Sequence, residues 1–194
     1  MSGAPLDLPE ETIHATPARR PEATDAGRRQ GSGMSRSAFF DAVIFGLRQQ
    51  LPQERGSFKM RRFGPLLKVF YENERIHYEV HVDGQAGHVE VGLHFEDGPA
   101  STAAYLRFFD ARIVELKDML GPEIELERWT MSWGRLFTLL PGAALDNQRV
   151  ADVVSRLTEM IRVLQPLVEL ADIPPERSAE DRHPGQPSWR RRRR

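Results

Sequence analysis

The residues best able to do chemistry in this chain are histidines and carboxylates. The 194 residues contain six His, and four of them, His77, His81, His88 and His94, lie between positions 77 and 94. Glu79, Glu90 and Glu96 are interleaved with them. Imidazole nitrogen and carboxylate oxygen together form the mixed donor set that divalent first-row metals accept, and the same groups serve acid/base catalysis or pH sensing near neutrality. Their spacing is even: His77, Glu79 and His81 form one series, His88, Glu90, His94 and Glu96 another. On a strand, even spacing places side chains on one face. With Val82 opposite Val89, His81 faces Glu90 and His77 faces His94, so His77, His81, Glu90 and His94 are the candidate metal ligands. The plainer reading of the same pattern is a wet polar sheet surface, with Lys68 paired to Glu79 and His81 to Glu90.

Aromatic residues supply the other candidates. Trp129 and Trp133 flank a turn and could stack on bases or anchor a protein partner, or simply pad a core. Arg128 and Arg135 beside them suit an anion, but Glu123, Glu125 and Glu127 oppose one. The chain finishes with Trp189 and five arginines, Arg190, Arg191, Arg192, Arg193 and Arg194, which could hook nucleic acid or an anionic lipid surface or stay solvated. Cysteine is absent, which excludes disulfides, thiolate metal sites and thiol catalysis. There is no phosphate-cradling glycine loop, no Gly-x-Ser-x-Gly elbow and no His-Glu-x-x-His helix. No cofactor is expected on these grounds.

These residues need a scaffold, and the apolar periodicity supplies one. Ser35 or Ser37 caps a first helix carrying Phe40, Val43, Ile44, Leu47 and Leu51. Leu67, Val69 and Tyr71 alternate with polar neighbours, and after an Asn73–Glu74 turn so do Ile76, Tyr78, Val80 and Val82. A two-residue turn pairs Leu67 with Val80, Lys68 with Glu79, Val69 with Tyr78, Phe70 with His77 and Glu72 with Arg75. One face is then wholly apolar, and a one-residue slip would destroy it. Val89, Val91, Leu93 and Phe95 make a third strand. Leu106, Phe109, Ile113, Leu116 and Leu120 step by three and four along a second helix. Strands follow from Ile124 toward Met131 and over residues 136–140, and Asp146 caps a third helix through Leu164, which Pro166 ends or kinks. The order α-βββ-α-ββ-α predicts an α+β two-layer sandwich: a five-stranded antiparallel sheet with helices on one face. Leu66 and Phe70 fall on the outer face, where a partner or a second copy would cover them.

Domain boundaries follow composition. Residues 1–34 are Pro-, Ala- and Arg-rich without periodicity and read as a disordered tail, with Met34 as a possible true start. Residues 35–173 form one domain, with sixteen Lys and Arg against twenty Asp and Glu. Residues 174–194 read as a second disordered tail, with seven Arg against three acids. No apolar run approaches the ~20 residues of a membrane helix, and no secretory leader is visible, so a cytoplasmic location is expected. The Arg-heavy composition reads as the codon bias of a GC-rich bacterial genome.

Two resemblances extend this. The stretch Phe108-Phe109-Asp110-Ala111-Arg112-Ile113-Val114-Glu115, then Leu120-Gly121, Leu126-Glu127-Arg128-Trp129 and Gly134-Arg135-Leu136, resembles a bacterial domain of unknown function found alone or behind restriction-endonuclease-like modules. It covers about half the chain and implies an accessory role near nucleic acid. The element order is similar to the type III secretion chaperone-like fold, which implies a small, acidic, dimeric, non-enzymatic protein that holds extended partner segments. The leading expectation is therefore a non-catalytic protein-interaction module working as a homodimer or within a complex through Leu66, Phe70, Trp129 and Trp133. The alternatives are a nucleic-acid-associated protein using the Arg tail and a metal-dependent or acid/base enzyme using the His/Glu face.

Overall fold

A computed structural model of the chain describes residues 33–142 and 144–175. The tail residues Trp189 and Arg190–Arg194 lie outside the described residues. Helix α1 spans Arg36–Gln50, and Ser35 caps it by accepting from the Ala38 amide. Four strands follow: β1 (Lys59–Phe63), β2 (Leu66–Phe70), β3 (Ile76–Asp83) and β4 (His88–Phe95). Two helices come next, α2 (Pro99–Asp110) and α3 (Ile113–Leu120), then β5 (Glu125–Arg128), β6 (Gly134–Pro141) and the long α4 (Asn147–Ala171). All strands pair antiparallel in one sheet of order β1-β2-β3-β4-β6-β5.

The α+β class and the antiparallel sheet agree with the periodicity, but the sheet has six strands where five were expected. The extra strand is β1, whose residues Lys-Met-Arg-Arg-Phe are almost all exposed. An edge strand wetted on both faces carries no alternation to read. Gly64, with φ of +53°, and Pro65 turn β1 tightly into β2, a conformation open to glycine at no steric cost.

The β2–β3 register is as the sequence required: Leu67 pairs with Val80, Lys68 with Glu79 and Val69 with Tyr78. The connection is wider than a two-residue turn, since β2 stops at Phe70 and β3 starts at Ile76. Asn73 organises it by accepting the Arg75 amide on Oδ1 and the Ile76 amide on its carbonyl, each at 3.0 Å. Arg75 consequently turns to Asp97, 3.6 Å away, rather than to Glu72. The single helix expected over residues 106–120 is broken at Ala111–Arg112, though Leu106, Phe109, Leu116 and Leu120 all remain buried. Helix α4 runs unbroken through Pro166.

The core lies between the helices and one sheet face. Leu67, Val69, Tyr78, Val80, Val82, Val89, Val91, Leu93, Phe95 and Leu136 meet Phe39, Val43 and Leu47 of α1, Phe109 of α2 and Val153, Leu157, Ile161 and Leu164 of α4. Each such side chain stabilises the fold by roughly 1.5–3 kcal/mol. Helix α4 lies over β3 and β4 with α1 against it. The two helices touch where Gly46 faces Val154, so closely that a Cβ on Gly46 would sit 2.7 Å from a Val154 methyl. Among the described residues no helix is long and apolar enough to cross a membrane.

Candidate metal centre

The alternation that sends valines toward the helices sends the histidines and glutamates to the opposite face. His77 pairs with His94, Glu79 with Gly92 and His81 with Glu90 across β3–β4, and His94 pairs with Arg135 across β4–β6. Among the described residues no helix covers this face, yet its centre is not wet. His77 is 0% exposed, Glu79 6%, Glu90 4% and His94 4%. Phe70 and Phe137 are buried on the same face and Leu66 is half-buried. The wet polar surface is therefore replaced by a packed polar layer. Long neighbouring side chains close over one another, and Gly92 opens the space beneath them: a Cβ there would lie 2.7 Å from the Phe137 Cβ and 3.1 Å from the Leu136 carbonyl oxygen. A lone glycine inside a strand is the one sequence signal of such close approach.

Within this layer His77, Glu79, His94 and Glu96 each present a donor atom, and these four atoms all lie within 4.8 Å of one another. Hydrogen bonding assigns the nitrogens. His77 Nδ1 lies 2.9 Å from the Glu74 carbonyl oxygen. A carbonyl only accepts, so Nδ1 carries a proton. The other nitrogen, Nε2, faces Glu79 Oε2 at 3.4 Å. His94 Nε2 lies 3.2 Å from Glu90 Oε1, an oxygen that accepts, so Nε2 donates there. The two rings stack with centroids 5.5 Å apart and 27° between their planes, an arrangement that two imidazolium cations would oppose.

Electrostatics follow from burial. Loss of water pushes the His77 pKa below its ordinary value, toward the neutral ring, against the pull of Glu79. Burial pushes the Glu79 carboxyl upward, but the contact with His77 and the charges around it outweigh burial and hold it below the usual range. Glu90 behaves likewise: burial raises it, while His94 and the Arg135 guanidinium bring it below normal. Both His77 nitrogens face oxygens that only accept, the Glu74 carbonyl and the Glu79 carboxylate, so a cation, either a proton on Nε2 or a metal ion in its place, belongs between Nε2 and Glu79.

The supporting groups are in place. Lys68 Nζ sits 2.9 Å from Glu96 Oε2 and 3.8 Å from Glu79 Oε2. Arg135 bridges Glu90 at 2.7 Å and Glu127 at 2.6 Å, and its guanidinium lies over the Phe137 and Trp129 rings. Four carboxylates thus share two permanent cations.

Of the four ligands expected from sequence, the structure brings together His77 and His94 but not His81 or Glu90. His81 lies farther along β3, beside a shallow groove lined by His88, Glu125, Trp129, Phe137 and Leu139, and Glu90 is engaged by Arg135 and His94. Glu79 and Glu96 take their places. Trp129 and Trp133 stand outside this centre. They are 57% and 45% exposed, and meet edge-on at 6.1 Å within the β5–β6 connection. No family model matches the chain, and neither a curated protein nor a solved structure matches it.

Proposed function

We propose that this chain binds one divalent first-row metal ion through His77, Glu79, His94 and Glu96. The observation that carries the reading is the convergence of four donor atoms within 4.8 Å in a buried layer. A tetrahedral ion with bonds near 2.05 Å needs donors about 3.4 Å apart, so small side-chain rotations close the site. The Glu74 carbonyl and the Glu90 carboxylate orient the two imidazoles, as outer partners of metal-bound histidines do. Two nitrogens and two carboxylate oxygens suit Zn²⁺, Mn²⁺ or Fe²⁺. Glu96, the least buried of the four ligands, marks the side from which solvent or a small anion would reach the ion. Elemental analysis of protein dialysed against Zn²⁺ or Mn²⁺ should give one ion per chain, lost in His77→Ala and His94→Ala. Retention of the ion by both variants, or no uptake by the wild-type chain, overturns the reading.

A second reading, the non-catalytic interaction module, is favoured by a separate observation. Trp129, Met131 and Trp133 form an apolar platform at one end of the sheet, with Met131 71% exposed. Such aromatics are typical anchors of protein interfaces. Under this reading Trp129→Ala and Trp133→Ala weaken association without unfolding the domain; unchanged association in both variants discards the platform.

A further inference from the structure

The two edges of the sheet carry opposite charge in matching positions. On β1, Lys59 and Arg61 share a face with Phe70 and Lys68 of β2, while Met60 and Arg62 lie on the helix side. On β5, Glu125 and Glu127 share a face with Phe137 and Arg135 of β6, while Leu126 lies on the helix side. Both edges therefore place their charged rows on the helix-free face, basic at one end and acidic at the other, and each places an apolar residue on the helix face. Lys59, Met60, Arg61, Glu125 and Glu127 are all exposed. Among the described residues, Lys59 and Glu125 have no ion-pair partner, whereas Arg61 reaches Glu74 and Glu127 reaches Arg135.

Strand direction fits as well. Five antiparallel steps separate β1 from β5, so the two edges run in opposite directions. A second copy displaced along the sheet would lay its β1 antiparallel to the first copy's β5 with the same face up. The register that sets Met60 against Leu126 also sets Lys59 against Glu127 and Arg61 against Glu125. Isologous pairings do not share this. β1 against β1 opposes lysines and arginines, and β5 against β5 opposes glutamates, and like charges directly opposite destabilise a strand pair.

We infer that copies of this chain associate head to tail, the basic β1 edge of one pairing with the acidic β5 edge of the next to continue the sheet. Such a heterologous contact leaves one edge of each kind free and therefore grows into a ring or filament. The inference rests on the interaction reading and is independent of the metal centre.

Three measurements on the full chain test it. Light scattering at low salt should show assemblies that grow with concentration and fall toward monomer as salt rises and screens the exposed pairs. The variants Lys59→Glu/Arg61→Glu and Glu125→Lys/Glu127→Lys should each be monomeric alone and assemble when mixed, because the mixture restores opposite charges at every junction. Because the chain has no cysteine, Arg61→Cys mixed with Glu125→Cys should give a mixed disulfide in excess of either homodimer; facing residues in antiparallel strands lie within the Cα separation a disulfide spans. This last readout does not depend on the Glu127→Lys variant folding. Assembly that survives both charge reversals, or homodimeric disulfides in excess, overturns the edge pairing and leaves association to the Trp129 platform. A wild-type chain that stays monomeric at low salt and high concentration overturns the edge pairing and leaves the interaction reading to a partner other than a second copy.

Discussion

Replacing Lys68 with methionine removes the cation that lies between Glu79 and Glu96 while keeping most of the side-chain volume. In the metal-free chain the two carboxylates lose their shared counter-charge. Removing one partner of a fully buried pair costs about 3–5 kcal/mol, whereas exposed pairs are worth about 1 kcal/mol or less. The Lys68 side chain is 18% exposed, Glu96 24% and Glu79 8%, so a loss of roughly 2 kcal/mol is expected between these limits. At roughly 3 °C per kcal/mol for a domain of this size, that lowers Tm by about 6 °C. Metal narrows this gap. An ion present at 100 times its Kd stabilises the native state by about 2.7 kcal/mol, or about 8 °C. A unit charge about 4 Å from another contributes about 4 kcal/mol at an effective dielectric of 20. Lys68 can swing toward solvent when an ion arrives, so only part of that repulsion is relieved by the substitution. About 1.4 kcal/mol, or tenfold tighter binding, is the expected gain. Lys68→Met is thus less stable than wild type without metal and more responsive to it. Thermal melts of both proteins with and without Zn²⁺, Mn²⁺ and Co²⁺, alongside calorimetric titration, read these quantities. If metal shifts neither melt, the metal reading is refuted; if metal binds wild type and variant equally, the role given to Lys68 is refuted.

Other outcomes follow from single contacts. Gly92→Ala drives a methyl against the β6 backbone at Phe137 and Leu136 and should cost about 3 kcal/mol by overpacking, seen as a lower urea midpoint at unchanged m-value. Gly46→Ala gains helix propensity of about 1 kcal/mol but meets Val154 at 2.7 Å; it should destabilise alone and stabilise when combined with Val154→Ala, as a double-mutant cycle would show. Tyr71, partly buried and donating to the Arg55 carbonyl at 3.0 Å, has its phenol pushed up to about 12, mainly by burial. An unfolded tyrosine ionises near pH 10, so this contribution to stability is intact below pH 10 and lost as pH rises from about 10 to 12. Ultraviolet difference titration of the native chain against Tyr71→Phe should show no Tyr71 tyrosinate at pH 10, and a Tyr71 signal forming there with the fold intact would contradict its burial.

Much of the scaffold was legible because local pattern and tertiary demand coincide. The alternation from Leu67 to Phe95 admits only one register with an apolar face, and Lys68–Glu79, His77–His94 and His81–Glu90 all follow from it. The stripe on α4 and its Asp146 cap were equally visible, since Asp146 accepts the Arg149 amide as an N-cap does. β1 was not legible, because an edge strand wet on both sides imposes no periodicity on its residues. The break at Ala111–Arg112 was also hidden, since the three-and-four spacing of apolar residues persists across it.

The sequence by itself determined which side chains share the histidine face: period-two geometry sorts residues to one side of a sheet or the other whatever lies around them. Only the tertiary structure decided which of them meet and whether water reaches them. Arg135 enters from β6 and captures Glu90, Glu96 approaches His77, Glu79 and His94, and the gap left by Gly92 lets Phe137 close the layer. The first and the last depend on the pairing of β4 with β6, a contact between segments about forty to fifty residues apart that no local spacing records.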